Sequence, residues 1–166
     1  AGSVGKCGSG GNLGVECCGG EDVGNGDVVK GLGGYGRAQE EAHNKRFRFN
    51  ITTNGVLLND ESMEFCNREM SNVVLSLDGR PEVNDYMRPF RNGKGSYSLI
   101  VPKFQKFAEL RGDKDYYVRG TFTRTNLDFS TAVLHFAHLG FKQMSINPVV
   151  YPPRCPFAIP EAALPR

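Results

Sequence analysis

The stretch that most limits how this chain can fold is Val73-Val74-Leu75-Ser76-Leu77-Asp78-Gly79. Its apolar start reads as a short buried strand, and Gly79 breaks the run. Ser76 and Asp78 stand near its carboxyl end. A polar loop, Arg80 to Gly95, follows, and then an apolar segment with helical spacing. A strand whose far end is polar and feeds a loop and a helix is one βα unit. The rest of the chain repeats it.

The repeats are read in order. Leu13 to Cys18 is a short buried strand. Val28, Leu32 and Tyr35 give helical spacing within Asp27 to His43, although Gly31, Gly33, Gly34 and Gly36 each weaken that helix by ~1 kcal/mol relative to alanine. Phe47, Phe49 and Ile51 alternate with Arg48, Asn50 and Thr52 as a strand, ended by Thr53-Asn54-Gly55. Asn59 caps a helix with a Met63, Cys66 and Met70 stripe. Ser96 to Arg111 is a helix that is kinked at Pro102 or starts near Val101. Tyr116 to Phe122 is a strand. Asp128 caps a helix with Phe129, Ala132, Val133 and Phe136 on one face, closed by Gly140, and Gln143 to Val150 is the last strand.

Five strands therefore alternate with four helices, the pattern of an α/β fold with a parallel sheet and right-handed crossovers. Units of unequal length exclude a solenoid. The domain reading is a poorly ordered lead-in at 1–12, a core at 13–150 and a Pro-rich linker or tail at 151–166. The 166 residues suffice for one domain with a real core. A net charge of +2 gives no strong field toward nucleic acid or an anionic membrane. Apolar runs fall far below the roughly 20 residues of a membrane span, and no signal peptide is read at the N-terminus. Five cysteines, an odd number without framework spacing, point to a reducing, cytoplasmic setting. Of the 21 glycines, 14 precede Arg37, so the first fifth is a different kind of sequence.

Ligands of α/β sheets sit beyond the carboxyl ends of the strands. The polar residues there are the candidates: Glu21, Asn54, Ser76, Asp78, Arg119, Thr121, Thr123 and Asn147. Each has a plainer reading. Ser76 and Asp78 also suit a turn. Arg119 within a strand also suits a structural ion pair. His135 and His138 have metal-binding spacing, but with no third ligand they read as a solvated helix face. Cys17 and Cys18 point to opposite faces of a strand and read as separate thiols, as does Cys155 in its proline-rich surroundings.

The strand ends, taken in order, resemble the radical S-adenosylmethionine enzymes. The resemblance is to the peptide-maturing branch with the anaerobic sulfatase-maturating enzymes and the thioether-forming maturases of six-cysteine peptides. It rests on Cys18-Gly19-Gly20-Glu21, Asn50 to Gly55, Leu75 to Gly79, Met87-Arg88-Pro89 with Asn92 to Ser96, Tyr117 to Thr121, and Ile146 to Val149. It implies a partial (β/α) barrel and S-adenosylmethionine as cofactor. It places Gly19, Gly20 and Glu21 at the cofactor's amino group and Ser76 at its ribose or carboxylate region. Arg119 falls at the carboxylate, and Asn147 and Val149 near the adenine. It also implies a cysteine-containing peptide or protein substrate, with Asn54, Asp78 and Arg88 as substrate-side residues.

The family's Cys-x3-Cys-x2-Cys loop for a [4Fe–4S] cluster is not in this sequence, and Asp22 stands where the family usually has proline. The chain thus reads as an internal fragment of a maturase that forms thioethers or oxidises cysteine or serine, inactive by itself because the cluster loop is missing. A non-catalytic nucleoside-binding module and an inactive product of a truncated gene are the alternatives.

Overall fold

A computed structural model describes residues 3–5, 12–18, 26–43 and 46–163. In chain order its elements are β1 (Ser3–Gly5), β2 (Asn12–Cys18), α1 (Gly26–His43), β3 (Arg46–Thr53), α2 (Asp60–Glu69), β4 (Asn72–Ser76), α3 (Pro81–Met87), α4 (Tyr97–Arg111), β5 (Tyr116–Phe122), α5 (Phe129–His138) and β6 (Met144–Pro148). The sheet order is the chain order, β1 to β6. β2 to β6 are parallel, as expected, and β1 pairs antiparallel with β2 through Val4 and Val15.

Two elements differ from the sequence reading. Residues 3–5 of the lead-in form β1, so β2 is not the outer strand there. The rest of the lead-in lies outside the described residues. The loop from Arg80 to Gly95 contains α3, which makes five α-helices among the described residues rather than four. Pro81 at the first helical position presets its backbone.

Local chemistry explains most helix ends. Asn59 caps α2 with a reciprocal box: its Oδ1 accepts from Ser62 N, and Ser62 Oγ accepts from Asn59 N, both at 2.9 Å. α4 begins at Tyr97, ahead of Pro102, which sits inside it. Asp128 does occupy the N-cap position of α5 but makes no capping bond. Its carboxylate pairs with Arg80 at 2.8 Å instead. α1 forms over the expected span, but Tyr35 is 69% exposed and is not part of its packed face. Gly36 faces β3 so closely that a Cβ there would lie 2.7 Å from the Phe49 ring, so this glycine is needed for the approach. The side chains of Val28 and Leu32 are outside the description.

The core lies on one face of the sheet. Phe49, Ile51, Val73, Leu75, Leu77, Tyr116 and Val118 pack under Met63, Cys66, Met70, Ile100, Phe104, Phe107 and Phe136 from the helices. The stripe foreseen on α2 is buried, and on α5 Ala132 and Phe136 are buried while Phe129 and Val133 stay partly exposed. The 151–163 segment has no strand, but it folds back. Phe157 meets Tyr86 edge-on at 6.3 Å and its carbonyl accepts from Arg124 N.

Candidate functional site

In a parallel pair, residues in register share a face of the sheet. The core claims Val73, Leu75, Val118 and their partners, so the alternate residues occupy the other face, where none of the strand residues in the core cluster lies. Of the rows of partners on that second face, three lead to the carboxyl ends. Thr52, Val74 and Tyr117 form one. Ser76, Arg119 and Ser145 form the next, and Thr121 and Asn147 the last, nearest the carboxyl ends. The face carries polar residues on both sides of the Val74 row, since Glu16, Asn50 and Asn72 stand in register on its amino-terminal side.

The middle row has the chemistry. Ser76 is 9% exposed, whereas Arg119 next to it is exposed. The Arg119 guanidinium makes no ion pair or side-chain hydrogen bond to another described residue, so the structural ion pair considered from the sequence is not formed among them. Its charge and five donors are therefore not taken up by any of the described residues. Asn147 Nδ2 reaches Ser145 Oγ at 3.4 Å on the same face. Ser145 was not named from the sequence. Its spacing of two from Asn147 on an alternating strand is the signal that could have found it.

A second group stands beside this row. Asp78 is 4% exposed, and its carboxylate accepts from Arg88 twice, Nε at 2.7 Å and Nη2 at 3.2 Å. Its Oδ1 also accepts from Thr121 N at 3.0 Å. Arg88 is therefore a paired cation, unlike Arg119. Asn84, fully buried, offers Oδ1 to Asp78 N at 3.4 Å and donates to Ser96 Oγ at 3.1 Å. Ser96 Oγ donates in turn to Arg88 O at 2.7 Å, and Asp85 Oδ1 accepts from Tyr97 N. The network ties the end of β4 to β5, to α3 and to the start of α4. Asn84, Asp85 and Ser96 were not foreseen, because nothing local marks a partner six to twelve residues away.

Of the other expected residues, Asn54 lies in the turn after β3, with Oδ1 accepting from Val56 N at 3.0 Å. Thr123 closes the turn after β5 by accepting from Thr125 N and contacting Asn126. Val149 N donates to Phe122 O at 2.9 Å, which prolongs the β5–β6 pairing past Pro148. Gly19, Gly20 and Glu21 lie outside the described residues. His135 is not merely a solvated surface group. Its Nε2 is 2.6 Å from Tyr97 Oη, and burial lowers its pKa. His138 is exposed. Among the described residues no group of three His, Cys, Asp or Glu side chains is placed to hold a metal ion. None of the described helices is long and apolar enough to cross a membrane.

No family model and no curated protein matches the sequence. Solved structures do share its architecture. One is an anaerobic sulfatase-maturating enzyme, anSMEcpe, with bound AdoMet and the Kp18Cys peptide, at TM-score 0.77 and 14% identity. The same enzyme with AdoMet and the Cp18Cys peptide gives TM-score 0.74 and 17% identity. These alignments cover 93% and 92% of this chain and 44% of each of those. The fold is that of a radical S-adenosylmethionine domain. A domain of pyruvate-formate lyase-activating enzyme from Bacteroides vulgatus ATCC 8482 shares it at TM-score 0.50 and 12% identity, covering 79% of this chain and 96% of that one. The α/β fold expected from the strand–helix alternation, and the partial radical S-adenosylmethionine-type fold implied by the resemblance, are thus the observed fold. This chain spans less than half the length of the sulfatase-maturating neighbour. The Ser76–Arg119–Ser145 row lies on the face of that sheet opposite the core.

Proposed function

We propose that this chain is the S-adenosylmethionine-holding part of a radical S-adenosylmethionine maturase acting on a peptide. The observation that carries the reading is the Arg119 guanidinium, unpaired among the described residues, standing in register with the nearly buried Ser76 hydroxyl on the second face. A guanidinium fork suits a carboxylate, and a hydroxyl beside it suits a ribose or carboxylate oxygen. Asn147 and Val149 lie on the adjacent strand end, suited to the adenine, and Gly19-Gly20-Glu21 follows β2 in sequence, suited to the amino group. When bound, S-adenosylmethionine supplies the radical-forming chemistry, and the protein's part is to bind, orient and shield it.

A peptide substrate is supported by the two neighbouring structures that contain one. Its modification, a thioether cross-link or oxidation of a cysteine or serine, belongs to the same reading. Asn54, in the turn after β3, belongs to the same reading as a substrate-side group. The described residues do not fit a [4Fe–4S] cluster. Of the cysteines whose side chains are described, Cys66 is in the core and Cys155 is in the C-terminal segment, and no ligand set forms. That observation favours, as a second reading, a module that holds a nucleoside without chemistry.

The test is titration of the ¹⁵N-labelled chain with S-adenosylmethionine, followed by amide shifts. The expected result is saturable shifts at Ser76, Arg119, Ser145 and Asn147, lost in Arg119→Ala. Shifts confined to the helix side of the sheet, or none, overturn the proposal.

A further inference from the structure

We infer that Asp78 is a positioning residue for ligand binding: it sets the Ser76–Arg119 row without touching the ligand. The inference rests on the cofactor reading of that row. The sequence placed Asp78 and Arg88 among groups that contact substrate, and the geometry assigns them other work.

Asp78 lies two residues beyond Ser76, and Thr121 lies two beyond Arg119. The strand β4 ends at Ser76, and the last backbone link to β5 runs from Leu77 N to Arg119 O at 3.0 Å. Past that point the backbones of β4 and β5 have no ladder, and the Asp78 carboxylate replaces it by accepting from Thr121 N. The same carboxylate holds Arg88 through two parallel donors, so both its oxygens are engaged by the protein. A carboxylate that is 4% exposed and already accepts three hydrogen bonds from the protein has one acceptor site left and almost no surface at which a ligand could reach it.

The consequence reaches two places. The Leu77 link falls on the Arg119 carbonyl and the Asp78 link on Thr121 N two residues on, so the backbone is held at Arg119 and just beyond it, and its side chain starts from a fixed origin. Arg88 closes the other arm. Its carbonyl accepts from Ser96 Oγ while its guanidinium grips Asp78, so the 88–96 turn is fastened at both ends. Gly95 fits the same arrangement, since a Cβ there would fall 2.0 Å from Asp85 Oδ2. The turn is thereby formed before any ligand arrives, and binding need not order it.

The test uses the whole chain and three variants. Asp78→Asn keeps the volume and an acceptor for Thr121 but loses the charge. Arg88→Gln opens the clasp from the other side while leaving Asp78 in place, and Arg88→Lys restores the charge without the fork. Amide exchange of the ligand-free protein is measured at 73–77, 88–96 and 119–123, and S-adenosylmethionine affinity is measured from amide shifts. The expected result is faster exchange at 88–96 and 119–123 with 73–77 unchanged. Affinity falls about tenfold in Asp78→Asn and Arg88→Gln, the scale of one lost charge-assisted hydrogen bond, with Arg88→Lys in between. Faster exchange with unchanged affinity shows a purely structural role and overturns the inference, as does no change in either. If Asp78→Asn does not fold, the two Arg88 variants decide. If the wild-type chain shows no S-adenosylmethionine shifts, the cofactor reading fails instead. Exchange at 119–123 then decides alone whether Asp78 orders Arg119: unchanged exchange in Asp78→Asn refutes it, and faster exchange upholds it.

Discussion

Arg119 and Arg88 show two uses of one side chain. Arg88 spends its fork on a buried carboxylate, whereas Arg119 is exposed and unpaired among the described residues. Truncating an exposed group with no partner changes stability by less than about 0.5 kcal/mol. Arg119→Ala is therefore expected to melt with the wild type while losing about tenfold or more in S-adenosylmethionine affinity, the usual weight of a bidentate charged contact. Parallel melting and titration check this, and a large drop in melting temperature would reassign Arg119 to structure. Gly55 gives the opposite case. It has φ +78, and a Cβ would lie 2.3 Å from the Phe104 ring. Gly55→Ala adds left-handed strain to overpacking of the core and should cost about 2–4 kcal/mol in urea unfolding. A cost under ~0.5 kcal/mol would show that the turn relaxes freely.

At the level of elements, one buried arginine fastens the amino-terminal end of the sheet. Arg111, 2% exposed at the end of α4, donates to the carbonyls of Cys66 in the last turn of α2, of Met70 and Ser71 just after it, and of Asp115 before β5. Orphan carbonyls at a helix end need such donors, and a cation there suits the helix dipole. Arg111→Met keeps volume and removes every donor, so a loss of about 3 kcal/mol in urea unfolding is expected at unchanged m-value. A near-neutral result would mean that water reaches those carbonyls. The Tyr97–His135 contact joins α4 to α5 and carries a pH signature. Burial lowers the His135 pKa below 6.5, with Glu82 opposing and Arg80 and His138 adding to the shift. The folded state then binds fewer protons than the unfolded one. Its contribution is complete above pH 6.5 and is lost as pH falls from there through the folded-state value. Melting temperature should drop over that interval, and His135→Gln should flatten the slope; an equal slope in the variant would exclude His135 as its source. The five parallel strands and four of the helices were legible because their signals are local: alternation at Phe47 to Thr52, the Asn59 cap, the stripe at Met63, Cys66 and Met70. The elements missed were short, seven residues in α3 and three in β1, too few for periodicity to register. The strand-end candidates were legible for the same reason. Whether a charge is spent or free was not, because the Asp78–Arg88 and Asp78–Thr121 contacts join residues that only the fold brings together.

For the whole molecule, the absence of a metal-binding group among the described residues has a direct reading. A [4Fe–4S] cluster wants cysteine thiolates at fixed spacing, and Cys7, Cys17, Cys18, Cys66 and Cys155 do not supply it. Anaerobic reconstitution of this chain with iron and sulfide is expected to leave it without a stoichiometric cluster. A purified chain with about four irons and the visible absorption of a cluster would refute that. The order of strands in the sheet has a further consequence. Because each strand of the β1 to β6 series lies against the one made just before it, no strand has to wait for a later partner or be inserted between two already paired. Synthesis proceeds from the amino end, and each new βα unit leaves the ribosome with its neighbour's edge already presented. The sheet can be laid down by simple addition at one growing edge, in the same direction as translation.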